Sequence, residues 1–179
     1  MNLLLYVARM IDALNDRMAI AATWAVLISC LISAGNALIR YSLSISSNGF
    51  LEIQWYLFAV VVMLGAAQVL RLNEHVRVDV VYGIYPTRTK VWVDLLGLLF
   101  FLMPVMLLLV YLGVPLFLRA LETGEVSSNA GGLIRWPVIL LIPLGFALVS
   151  LQGISEIIKR VGWLTHRFEL DTQYERPLQ

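Results

Sequence analysis

Long apolar runs alternate along this chain with short polar breaks. Uncharged stretches cover 18–39 (22 residues), 53–70 (18), 95–118 (24) and 136–155 (20), each bounded at both ends by an ionisable side chain. A helix needs about 20 apolar residues to cross a hydrocarbon layer about 30 Å thick. Four transmembrane helices are therefore predicted, at about 18–40, 51–71, 91–118 and 136–158. A transmembrane barrel would instead require repeated segments of about ten residues with alternating polarity, and none is present. The first run exceeds the 7–15-residue apolar core of a signal peptide, and no clear A-x-A site follows it.

Two flanking segments carry a weaker pattern. Leu3, Val7, Met10 and Leu14 recur at helical spacing, with Arg9, Asp12, Asp16 and Arg17 elsewhere. This predicts a short amphipathic helix lying in the membrane interface ahead of the first span. The second segment, "RLNEHVRVDVVYGIYPTRTK" (71–90), is a polar, basic island. Val76, Val78 and Val80 alternate as in a strand, but no partner strand exists, and an unpaired edge beside lipid is costly. A short interfacial helix is expected instead, with Asp79 in its first turn, where a carboxylate suits the helix dipole. It ends before Pro86, leaving Thr87 to cap the third span. The expected fold is an all-α membrane protein: one four-span domain over residues 1–164, followed by a polar tail at 165–179.

Composition supports the class. The chain is 60% hydrophobic and 14% charged, where soluble domains average about 45–50% apolar, and its mean hydropathy is +0.82. The placement of charge adds orientation. The N-terminus, the 71–90 loop and the C-terminal segment hold 2 + 4 + 4 = 10 of the Lys and Arg residues, against three (Arg40, Arg119 and Arg135) on the other side. Positive residues flanking spans face the cytoplasm, so both termini are expected there. A net charge of +1 offers nothing to nucleic acid, and the single Cys30 allows no intrachain disulfide.

The spans themselves hold little chemistry. Ala21, Ala25, Ser29, Ser33 and Ala37 place a small residue at every fourth position of the first span. Such a stripe admits another helix, either within the unit or from a second subunit. The third span is bulky throughout, and a bend is expected at its Pro104 and at Pro143 in the fourth. Ionisable residues at span centres mark solute and proton pathways, yet Glu52 and Asp94 lie near helix ends, as do Asn36, Gln68 and Gln152. No inverted repeat suggests alternating access. Arg40 and Glu52 flank the first periplasmic loop (41–51) and are expected to pair across it.

Catalytic arrangements are missing too. His75 and His166 lie outside the spans, which excludes a haem held between helices by two histidines. His75 with Glu74 and Asp79 makes too sparse a set for a metal. Ser127 and Ser128 have no neighbouring base in the sequence, and neither a phosphate loop nor H-E-x-x-H occurs. No enzyme, cofactor or metal is expected.

"EIQWYLFAVVVMLGAAQVLRLNEHVRVDVVY" (52–82), "SSNAGGLIRWP" (127–137) and "IPLGFALVSLQGISEIIKR" (142–160) together resemble the small membrane subunit of TRAP (tripartite ATP-independent periplasmic) transporters, the DctQ-like family. The resemblance implies a multi-pass protein of the bacterial inner membrane. Its partners would be a large membrane subunit that moves organic acids with sodium and a periplasmic substrate-binding protein. The chain itself would be a scaffold that does not touch solute. On this view Glu52, Glu74, His75, Arg77 and Asp79, with Ser29, Ser33 and Arg40, are expected to serve subunit contact or topology. Asn129, Gly131, Gly132, Arg135 and Trp136 are expected to form a docking surface for the binding protein. The alternatives are a four-span structural or assembly subunit of an unrelated membrane complex and a redox or quinone-binding subunit.

Overall fold

The computed structural model describes residues 2–45, 47–74 and 82–169. They form four helices: α1 (Asn2–Leu43), α2 (Asn48–Leu72), α3 (Thr87–Thr123) and α4 (Trp136–Leu164), each long and apolar enough to cross a membrane. The expected all-α class and all four expected spans are present. Among the described residues the extended structure amounts to an isolated bridge between Val126 and Ile134.

The N-terminal expectation is overturned. No separate interfacial helix precedes the first span; α1 runs unbroken for 42 residues, about 63 Å. The cause is local and tertiary together. No Gly or Pro interrupts the chain before Gly35, and alanines with high helix propensity recur at 8, 13, 19, 21 and 22. Asp12 and Asn15 also bond to α4, as described below.

At its C-terminus α2 closes with Asn73 in the left-handed region (φ 60°), and the Glu74 N–H returns to the Val69 carbonyl at 3.2 Å, a Schellman-type stop. The interfacial helix expected in the 71–90 loop, with His75, Arg77 and Asp79, falls on residues 75–81 and lies outside the described residues. Thr87 does not cap α3. Pro86, extended at φ −64° and ψ 153°, takes the N-cap position, and Thr87 is the first helical residue. Within α3 the disturbance at Pro104 takes the form of a π turn, Leu98–Leu102. There the Met103 N–H reaches back to the Leu98 carbonyl, which accommodates a proline unable to donate.

α1 and α2 pack antiparallel, α4 packs along all three other helices, and α3 leans chiefly on α4. Half of α4's apolar window is buried, against 11–17% for the other three helices, so α4 is the spine. The core around it joins Ala22 of α1, Leu64 and Ala67 of α2, and Leu148 and Val149 of α4.

Close approach of α2 and α4 requires Gly145. A Cβ there would stand 2.7 Å from Met63 Cβ and 2.9 Å from its carbonyl oxygen. Gly145→Ala is therefore expected to force the helices apart and lower the unfolding free energy in detergent by about 1–3 kcal/mol. Gly65→Ala, with no atom within 4 Å of the added methyl, should not lower the melting temperature, since alanine favours a helix interior.

The small-residue stripe of α1 does not form one face. Ala25 is buried and Ser29 half-buried, while Ala21, Ser33 and Ala37 are exposed. Steps of four residues advance about 40° each on a 3.6-residue helix, so the stripe spirals off its own face. The line that α1 actually buries is Ala8, Asn15, Ala19, Ala22 and Ala25.

Candidate functional site

Among the described residues, the buried acidic side chains lie at the two ends of this frame. At the end carrying the α1–α2 and α3–α4 connections, the centre is Glu52, in the second turn of α2 and only 2% exposed. The α3–α4 connection folds over it as a tight hairpin. The Ser127 N–H bonds to the Leu133 carbonyl and the Arg135 N–H to the Glu125 carbonyl, each at 2.9 Å, and an Arg135–Glu125 ion pair closes the stem. Gly131 turns the chain at φ +71°. At Gly132 a Cβ would collide with Ser127 Cβ at 2.7 Å and with the Asn129 carbonyl oxygen at 2.9 Å, so only glycine closes this hairpin.

The folded hairpin aims three donors at one carboxylate. Ser127 Oγ donates to Glu52 Oε1 at 2.5 Å, Asn129 Nδ2 donates to the same oxygen at 2.6 Å, and the Leu133 N–H donates to Oε2 at 2.7 Å. Asn48 and Tyr56 of α2 add longer bonds to the Ala130 and Ile134 carbonyls, at 3.3 and 3.2 Å. The expected Arg40–Glu52 pair is therefore corrected. Arg40 is exposed, and Glu52 holds the 127–133 hairpin instead. Neutral donors on a neighbouring loop reach the carboxylate more closely than a long cationic side chain drawn toward water.

The opposite end is built on α4. Gln152, Ser155, Glu156 and Lys159 recur at i, i+3, i+4 and i+7, one helix face, and the first three are 0–5% exposed. Gln152 Oε1 accepts from Asn15 Nδ2 at 2.7 Å, and its Nε2 donates to Asp12 at 3.0 Å and Glu156 at 3.1 Å. The Ser155 hydroxyl lies 2.8 Å from Asp12. Lys159 Nζ sits 2.8 Å from both Asp12 Oδ2 and Glu156 Oε1. Arg160 joins Glu156 at 2.5 Å to Asp94 of α3 at 3.2 Å, and Tyr82 donates to Asp94 at 3.0 Å. Arg71 pairs with Asp16, bringing α2 into the same lattice.

One network thus ties all four helices together at one end, and Glu52 ties α2 to the α3–α4 hairpin at the other. Between them the spans carry no Asp, Glu, Lys, Arg or His. Among the described residues no group of His, Cys, Asp and Glu could hold a metal ion. Chemically the arrangement fixes helix positions: each carboxylate in it is held by donors from a neighbouring helix or hairpin.

A family model described as "Tripartite ATP-independent periplasmic transporters, DctQ component" matches residues 29–162, well over half of the chain. The chain belongs to the DctQ family. It is thus a small component of a TRAP transporter, a transport component and a multi-pass membrane protein. The searches of curated proteins and of solved structures returned no match.

The matched span of this DctQ subunit contains Glu52, the whole 125–135 hairpin and the polar face of α4, whereas Asp12, Asn15 and Asp16 precede it. Of the residues expected to matter, Glu52, Asn129 and Gly132 meet in one clamp. Ser29 is half-buried and Ser33 exposed, Arg40 and Glu74 are exposed, and Trp136 opens α4 half-buried. Sequence reasoning missed the α4 network. Its signal was present as the polar spacing 152, 155, 156, 159 and 160 on an otherwise apolar helix, matched by 12, 15 and 16 on α1.

Proposed function

We propose that this DctQ subunit is the stationary membrane frame of a TRAP transporter that imports organic acids on a sodium gradient, beside a large transport subunit and a periplasmic binding protein. The observation that carries the proposal is the split between ends and middle. Among the described residues every buried carboxylate is engaged within the chain, the span centres are uncharged, and the outer faces of α1, α2 and α3 expose large apolar side chains such as Trp24, Phe58, Phe101 and Tyr111. Such a body is rigid where it is polar and adhesive where it faces outward. A neighbour that moves solute by sliding through the bilayer needs a fixed body of this kind.

In this proposal the ten-to-three bias of Lys and Arg holds both termini and the α2–α3 loop in the cytoplasm of the bacterial inner membrane. Glu74, His75, Arg77 and Asp79 of that loop serve subunit contact. The outward small residues Ser33 and Ala37, one turn apart on α1, admit a helix of the large subunit. The hairpin's exposed edge, with Asn129, Gly131 and Arg135, and the adjoining Trp136 receive the binding protein.

The test is reconstitution. The isolated chain in proteoliposomes should give no sodium-dependent uptake of an organic acid. Adding the large subunit and binding protein should produce uptake that is lost when the small subunit is left out. Ser33→Leu should lower the yield of intact complex while the isolated subunit melts as the parent does. Uptake by the isolated chain would overturn the proposal.

A further inference from the structure

We propose that the recess over Glu52 binds the headgroup of an aminophospholipid, its primary ammonium directed at Glu52 and its phosphate at Arg135. The recess encloses about 400 Å³, and Glu52, Trp55, Tyr56, Ser127, Asn129 and Arg135 all line it. Glu52 is buried yet bonded only to neutral donors. No Lys or Arg among the described residues lies within ion-pair range of it, because Arg135 pairs with Glu125 and Arg40 is exposed. Hydrogen bonds stabilise such a carboxylate, and Arg135 attracts it from beyond ion-pair range, but no cation touches it. A carboxylate offers about four acceptor positions, of which the hairpin fills three.

The surroundings name the cation that fits. Trp55, 67% exposed, lines the same recess, and an indole face attracts an ammonium group. Arg135 supplies a guanidinium suited to phosphate. Trp55 and Arg135 also stand near the membrane-surface ends of α2 and α4, close to Trp136, and tryptophans of this kind mark headgroup depth. Opposite charges in one recess at that depth complement a zwitterion whose ammonium and phosphate are joined by a short linker. Ethanolamine meets this requirement. A choline headgroup has no N–H to give Glu52, and a glycerol headgroup has no cation.

The experiment is native mass spectrometry of the full chain in detergent, titrated separately with dioleoyl phosphatidylethanolamine, phosphatidylcholine and phosphatidylglycerol. Retention of the ethanolamine lipid should exceed that of the other two by about tenfold. Trp55→Leu, which spares the three bonds to Glu52, should shrink the excess over the glycerol lipid without shifting the melting curve, and Arg135→Gln should lower retention of all three lipids alike, because each carries the phosphate. Equal retention of the three lipids would overturn the proposal, as would an excess over the glycerol lipid that Trp55→Leu leaves unchanged or lipid retention that Arg135→Gln leaves unchanged. One-for-one release of the ethanolamine lipid when partner subunits are added would assign the recess to a partner's lysine or arginine, and would overturn it too.

Discussion

Glu52→Ala is expected to free the 125–135 hairpin while the four helices stay inserted. The substitution removes the common acceptor of Ser127, Asn129 and the Leu133 N–H. Hydrogen bonds to a charged group contribute about 1.5–3 kcal/mol each, and the three are not additive because they share one carboxylate. A combined loss of about 3–5 kcal/mol follows. Its readout is selective proteolysis between 126 and 134 and a lower melting temperature in detergent. Glu52→Gln should fall between Ala and the parent. Its amide keeps one acceptor oxygen but turns an NH₂ toward a donor on the other side, whichever way the amide is placed. Arg40→Gln should leave both readouts unchanged. Equal damage from Arg40→Gln and Glu52→Gln would mean that the hairpin bonds are not what holds Glu52.

The four spans were legible because charge-free length alone specifies them, and the bilayer tolerates few alternatives. The start of α1 was not. Leu3, Val7, Met10 and Leu14 do form an exposed apolar face, as the pattern implied. Hydrophobic periodicity reports that a face is polar without reporting what it meets, however, and here the partner of Asp12 is Gln152, 140 positions away. The same limit explains Glu52. Its position at a helix start marked it as important, but choosing its partner required the shape of a hairpin whose closure depends on Gly131 and Gly132. Spacing misled in a third way at the stripe of α1. A repeat of four looks like a face over two turns and ceases to be one over four.

Lys159→Met is expected to undock the N-terminal half of α1 from α4. Lys159 is 12% exposed and lies between Asp12 and Glu156. Without it two largely buried carboxylates face each other across the α1–α4 contact, and breaking a buried pair from one side costs about 3–5 kcal/mol. Asp12→Asn should be milder, because the amide oxygen still accepts from Gln152 and Ser155, and Lys159 keeps Glu156. The double variant should be more stable than Lys159→Met alone. Glu156 then retains Arg160, and no uncompensated charge remains at position 12. A cycle of these variants should therefore show a coupling of about 1–3 kcal/mol, read from detergent melting curves. Hydrogen exchange should locate the loosening in residues 2–16, with the core around Leu64 and Leu148 still protected. In the assembled transporter, Lys159→Met should reduce the amount of complex and, under the proposed role as a frame, leave the solute preference of what remains unaltered, because the network it breaks positions helices. Additive losses in the cycle, or a changed solute preference at normal assembly, would contradict this assignment.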